Sequence, residues 1–469
     1  MGINRMENRI SIVKTSCHDY NDKEEIKKAV YKSLELLGLD KNHIGTNTWN
    51  PLSEFISPGM TVLLKPNYVM NVNRIVQNGT DCLYTQSAII EVVINLVLKA
   101  LNDAGHIIIG DAPMQECDFE SLKLSSGIQD IIDKIPSSKA IDIKLVDFRE
   151  LYSTVKGGVH FNKLNPEAKG TIVDLGKNSQ FYTDKKDWRK YRITNYDPDV
   201  LPLHHNGDVN EYYISDYILQ ADVIINLPKP KTHRKAGVTI SLKNFVGANT
   251  RKEFLPHHTL GSIEEGGDEY KNKSVVYSLM NKTIDSKNRF SAHKKYIRAW
   301  LFAVFSRMLY EILKHKRDFI YEGNWYGNDT ISKTITDINI AVRYANKDGK
   351  LEEKECRKIF IIGDMIISGE GEGPVAPTPK NCGIIASGFN TVCYDEAIST
   401  IMGFDYTKIP SITRARNLEG QYKLVEKNIN PIILSNDNRL NNKDVNEISS
   451  SNTLHFVPSS GWKNYIELP

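Results

Sequence analysis

The 469-residue chain lacks most of the features that declare a function. Its six cysteines, at 17, 82, 117, 356, 382 and 393, include no Cys-x-x-Cys pair. That spacing signals neither a zinc ribbon nor a ferredoxin cluster, and it makes no disulfide framework. The expectation is reduced, mostly buried thiols in a cytoplasmic protein without an iron–sulfur cluster. Long apolar runs are missing too. The most apolar helical candidate, 295–316, is interrupted by Arg298, Arg307 and Glu311, so its uncharged stretch reaches only from Ala299 to Ser306. That is far below the ~20 residues of a membrane span. Met1 to Arg9 has charge but no apolar centre, which excludes a secretory signal. The net charge of +3 comes with no basic tail, which argues against a nucleic-acid partner. Neither a Gly-x-Gly-x-x-Gly motif nor a P-loop occurs at the glycine-rich segment, and there is no low-complexity tract or clear linker.

What is present is an alternation of strands and helices. Arg9 to Lys14 reads as a strand and Lys23 to Gly38 as a helix with a glycine stop. Thr61 to Leu64 is a buried strand, Ser87 to Ala104 a strong helix, and His106 to Gly110 the next strand. Strand, helix and strand in that order form a βαβ unit and hence a parallel sheet. Asp142 to Val146, Val223 to Asn226, Ile359 to Gly363 and Gly383 to Ala386 continue the pattern, with a short helix from Asp395 to Met402. The expected fold is α/β: a mostly parallel sheet flanked by helices, with a second subdomain or large insertion. The length suits two domains, placed at 1–220 and 221–469, with a poorly patterned insertion near 161–204. Ile297, Trp300, Leu301, Val304, Phe305, Met308 and Ile312 give 295–316 an amphipathic pattern that suits packing on a core. Lys294, Lys295, Arg298, Lys314 and Lys316 flank it, so an interfacial membrane helix is the alternative.

The richest stretch runs from Ala221 to Asn249. An apolar strand, Val223 to Leu227, stops at Pro228 and Pro230, which cannot continue a ladder. Lys229, Lys231, His233, Arg234 and Lys235 follow. Open α/β sheets place ligands just past such strand ends, and amines there suit phosphate or carboxylate. Val238, Ile240 and Leu242 alternate with Thr239, Ser241 and Lys243, which predicts that the polar members share one face, with the amide of Asn244 beside them. Lys65 and Asn67 follow the strand at Thr61, and Asp111 follows the strand at Ile107. In a parallel sheet these ends share an edge, so the groups can converge. Each also has a plainer reading: a solvated loop for the lysines, an Asx turn for Asn67, a turn or helix cap for Asp111.

Two further clusters carry weaker signals. His257 and His258, with Asp268 and Glu269 about ten residues on, are candidate ligands for a divalent metal, although adjacent histidines diverge in a strand. Gly369-Glu370-Gly371-Glu372-Gly373-Pro374 reads as a glycine-rich loop whose glutamates favour a cation or solvent.

Together these segments resemble the family catalogued as domain of unknown function 362, in its longer, cluster-free type. The matching pieces are Leu63 to Asn67, Ile109 to Pro113, Asn226 to His233, Ser241 to Asn244 and Gly369 to Pro374, with Glu322 to Trp325, Gly327 to Thr330 and Ser387 to Asp395, so the likeness spans roughly 60–410. The family's name fixes no activity. Some members carry a ferredoxin-like segment whose cysteines this chain lacks, and members similar to it accompany surface-glycan gene sets, which implies a sugar or phosphosugar substrate. The first expectation is therefore an enzyme acting on a small anionic, sugar-linked molecule, with or without a metal. Lys65, Asn67, Lys229, Lys231, Thr239, Ser241, Lys243 and Asn244 would hold the anion. His233 would be the acid or base, its pKa lowered by nearby lysines. Asp111 and Glu370 would orient it or hold a cation. Hydrolysis, group transfer and proton abstraction stay open, as do the metal's identity and the oligomeric state. The second expectation is a non-catalytic protein that binds an anionic metabolite or assembles with glycan enzymes.

Overall fold

In a computed structural model, which describes residues 7–77, 79–135, 141–315 and 319–469, one large sheet organises the chain. Its strands run in the order Lys443–Asp444, Ile432–Ser435, Arg9–Lys14, Ala376–Gly388, Lys358–Glu372, Val223–Leu227, Thr61–Pro66, Gly105–Asp111 and Ile141–Asp147. The last four pair parallel to one another, and Val223–Leu227 also runs parallel to the Lys358 strand. The Ala376 strand is antiparallel to both of its neighbours. Two short strands, Lys231–His233 and Gly237–Thr239, form a hairpin attached to the far end of the Lys358 strand. The fold is thus α/β with a mostly parallel sheet between helices. The expected 220/221 boundary falls within this single sheet, because Val223–Leu227 lies between the Thr61 and Lys358 strands.

The continuous apolar strands follow from burial on both faces, as parallel sheets require. Leu63, Ile108 and Ile224 point into one core, which they share with the helices Thr330–Tyr344 and Thr391–Met402. Val62, Leu64, Ile107, Ile109 and Ile225 point into the other, beneath the helices Lys23–Leu37 and Ser87–Leu101. The first of those helices stops where expected: Gly38 adopts φ 77° and its N–H bonds back to the last turn.

The poorly patterned segment near 161–204 holds the strand Gly170–Asp174 and several short helical turns. Two expectations are corrected. Gly369–Pro374 is not a loop after a short strand; the strand runs unbroken from Lys358 to Glu372 and turns straight into Ala376–Gly388. The amphipathic helix spans Tyr296–Leu313, and Lys316 lies outside the described residues.

Ile224→Ala and Ile225→Ala each open a cavity, one on each face, in fully buried positions. Each is expected to cost about 2–5 kcal/mol in urea unfolding. A near-neutral result for one of the pair would mean that its face of the sheet is not closed.

Candidate functional site

The carboxyl ends of the Thr61, Gly105 and Val223 strands lie side by side, and their polar residues meet there. Lys65 is fully buried. Its Nζ lies 2.6 Å from Asp111 Oδ1 and donates to Pro66 O at 3.0 Å. Asp111 also accepts from the backbone amides of Tyr68 (2.6 Å) and Ala112 (2.8 Å). Burial lowers the Lys65 amine, and Asp111 opposes that shift. The following turn passes so close that a Cβ on Gly247 would sit 1.8 Å from Asp111 Oδ1, so only glycine fits there.

Beside this pair runs a chain of amides. Lys231 Nζ donates to Asn67 Oδ1 (2.5 Å), Asn67 Nδ2 to Asn244 Oδ1 (2.8 Å), and Asn244 Nδ2 to Asn226 Oδ1 (2.7 Å). The structure therefore gathers Lys65, Asn67, Asp111, Lys231 and Asn244 from four separate segments. It does not bring Lys229 with them. Lys229 Nζ turns to Asp364 (3.0 Å), both fully buried, and to the hydroxyl of the partly buried Tyr20 (2.5 Å).

The expected alternation of Thr239, Ser241 and Lys243 ends early. The strand stops at Thr239, and Ser241–Asn244 is a helical turn. Thr239 and Lys243 face a cavity of about 460 Å³, whereas Ser241 faces Asp395, whose carboxylate takes Ser241 N (2.8 Å), Leu242 N (3.1 Å) and the Ser241 hydroxyl. Asp395 lies in the second turn of the helix Thr391–Met402, so through these bonds it fixes the turn that aims Lys243.

The cavity is crowded with cations. Lys231, Arg234, Lys235, Lys243 and Lys252 line it. Lys235 reaches the backbone carbonyl and carboxylate of Glu322. Lys231, Arg234, Lys243 and Lys252 have no carboxylate within ion-pair distance among the described residues, while Asp111, also on the wall, is taken by Lys65. Burial, and then mutual repulsion for Lys231, push amines down: Lys231 to about 7, Lys252 to about 7 and Lys243 to about 8. Sequence reasoning missed Lys252, which carries no motif; only the fold returns it to this wall.

Two histidines share the cavity with opposite tautomers. His233 Nδ1 accepts from the amides of Lys235 (3.0 Å) and Ala236 (3.2 Å), so its proton sits on Nε2. His257 Nδ1 lies 2.8 Å from Leu255 O, which can only accept, so the proton is on Nδ1 and Nε2 keeps its lone pair. Burial first and Lys243 second hold both imidazoles well below their usual value, hence neutral at pH 7. The residues considered for a metal are dispersed. His258 faces away from the cavity with an unpartnered Nδ1. Asp268 accepts from Thr259 N, Thr330 N and the Lys186 ammonium, and Glu370 pairs with Lys380 at 2.9 Å. No group of three His, Cys, Asp or Glu suited to a metal occurs among the described residues.

Lys65→Met leaves Asp111 buried without its cation and is expected to cost about 3–5 kcal/mol in chemical unfolding. A cost under about 1 kcal/mol would mean that solvent reaches the pair.

Among known proteins, the chain is similar to a thylakoid-associated protein of Synechocystis sp., 26% identical over 196 residues, which is 42% of this chain and 41% of that relative. The matched part thus spans less than half of the relative. A crystal structure of a Thermotoga maritima protein aligns over 81% of this chain and 58% of that one, at 12% identity and a TM-score of 0.32. Residues 189–400, a stretch that carries the cavity's lysines from Lys231 to Lys252 and both histidines, match the family described as Domain of unknown function (DUF362).

Proposed function

We propose that the cavity is the active site of an enzyme that acts on a small molecule bearing phosphate or carboxylate. One observation carries this reading: Lys231, Arg234, Lys243 and Lys252 border one cavity without an ion pair of their own among the described residues, while the carboxylates on its wall, Asp111, Glu116 and Glu322, already pair with Lys65, Arg74 and Lys235. Buried like charges repel and are costly to desolvate. An anion entering the cavity removes both penalties at once. The histidines supply the chemistry. His257 Nε2, with its free lone pair, takes a proton from the substrate. His233 Nε2–H donates to the oxygen on which charge develops, in the manner of an oxyanion site. The resemblance to glycan-associated members favours a sugar-linked phosphate. A divalent cation, where the reaction needs one, arrives with the anion. The free thiols, Cys117 and Cys393 buried among them, suit the cytoplasm.

The pH dependence follows from the amines. An anion favours their charged forms, so binding raises pKa values that lie near 7 and 8 in the empty cavity. Affinity is therefore greatest below about 7 and falls as pH rises through 8. Sulfate keeps its charge throughout this range and is the suitable probe. Calorimetry should show proton uptake on sulfate binding at pH 8, and Lys243→Gln should weaken binding by about tenfold or more. Sulfate binding that ignores both pH and Lys243 would contradict the proposal.

The non-catalytic alternative needs the same lysines but no proton transfer. Small molecules copurifying with the wild type and with His257→Gln separate the two. The enzyme reading predicts product or nothing on the wild type and accumulated substrate on the variant, with sulfate affinity nearly unchanged. The same compound, equally loaded on both, supports a binding protein instead.

A further inference from the structure

The helix Tyr296–Leu313 packs only one side onto the protein. Ala299, Ala303, Leu309 and Leu313 are buried, against the hairpin of Leu151–Lys156 and Val159–Leu164 and the neighbouring helix Val275–Ala292. The opposite side is apolar as well, which core packing does not explain. Ile297 is 81% exposed, Leu301 56%, Met308 59% and Ile312 61%, with Val304 and Phe305 between them. At 100° per residue these six form one outward stripe. Trp300, half exposed, lies at its margin over Gly157. Val275 and Leu279 extend the apolar area onto the adjacent helix. Contiguous exposed patches of this kind mark interaction surfaces.

Charge identifies what covers it. Residues 271–315 contain ten lysines and arginines against two acidic residues, Asp285 and Glu311, while the whole chain carries only +3. Both acids are already paired, to Arg192 and Lys314. Lys294, Lys295, Arg298 and Arg307 are exposed and have no carboxylate partner among the described residues. Three of these cations sit at the amino-terminal end of the helix, whose first turn has no acidic residue. The helix dipole disfavours cations there, so the arrangement answers to something outside the fold. A second copy of the chain does not fit, because it would set one strongly cationic face against another.

We propose that this helix pair seats the protein on an anionic lipid surface, with the stripe Ile297 to Ile312 entering the interface and the flanking cations contacting lipid phosphates. An apolar face supplemented by a basic rim is the combination that gives stable peripheral binding. No helix among the described residues is long and apolar enough to cross a membrane, so the attachment is to one leaflet.

Vesicle flotation tests this on the full chain. Vesicles of equal parts phosphatidylglycerol and phosphatidylcholine should carry the protein at low salt, and vesicles of phosphatidylcholine alone should carry at least tenfold less. Lys294→Glu with Arg298→Glu should lower partitioning by about 25-fold, at about fivefold per basic residue. Leu301→Ser with Met308→Ser, both exposed, should leave the melting temperature unchanged and still reduce binding. Failure to bind either vesicle, or equal binding to both, overturns the proposal. So does a dimer abolished by the Leu301/Met308 pair in a protein that ignores lipid, since the face would then hold a second copy. Sulfate affinity of the cavity should not change in any of these variants, which keeps this test separate from that of the anion site.

Discussion

A buried ammonium needs a negative partner, and the way each lysine in this fold meets that requirement organises the site. Lys65 has Asp111, and Lys229 has Asp364. These closed pairs pin strand ends and leave little to offer a ligand. Lys231 has only neutral oxygens, from Asn67 and Leu83, and Lys252 has the carbonyl of Val246. Lys243 has no hydrogen-bond acceptor of its own among the described residues. The carboxylates on the cavity wall, Asp111, Glu116 and Glu322, are each paired with another cation, and the unpaired amines beside them are the basis of the anion site proposed above.

The sheet and its supports convert sequence-distant residues into that wall. Parallel strands put Lys65, Asp111 and the segment after Leu227 on one edge. The Asp395 carboxylate fixes the turn that presents Lys243 and Asn244. The Lys358–Glu372 hairpin closes one side. There Gly373 lies where a Cβ would come within 2.0 Å of Thr232 O, and Pro374 and Val375 line the cavity. Stability and function thus draw on the same contacts, and the opposed tautomers of His233 and His257 are set by backbone groups that cannot be altered one side chain at a time.

Much of the framework was legible because it rests on local rules. Apolar runs that end in Lys65-Pro66-Asn67, in Asp111 and in Pro228-Lys229-Pro230 announce strand ends, and parallel pairing puts those ends together. Residue-level direction was less readable. Lys229 and Lys231 look equivalent, yet the prolines between and before them break the pleat and send them to different partners. The alternation from Val238 to Lys243 resembles a strand, but the segment turns helical after Thr239 because Asp395, about 150 residues away, captures its amides. Glycines 369, 371 and 373 read as a loop, whereas Gly369 lies in the strand against Lys231, Gly371 adopts φ 76° near the strand's end, and Gly373, in the turn that follows, lets Thr232 O approach. Lys252 carries no pattern of any kind. His257 and His258 adjoin in sequence as candidate metal ligands, yet they diverge, and of the two His257 lines the cavity.

The central claim, that this wall is built to receive an anion, is most directly tested by a crystal soaked in tungstate, a tetrahedral dianion with strong anomalous scattering. The account predicts one ordered peak inside the cavity, contacting Lys243 and Lys252 and within hydrogen-bond reach of a histidine Nε2. A cavity holding only water, with tungstate scattered over surface lysines, would contradict it.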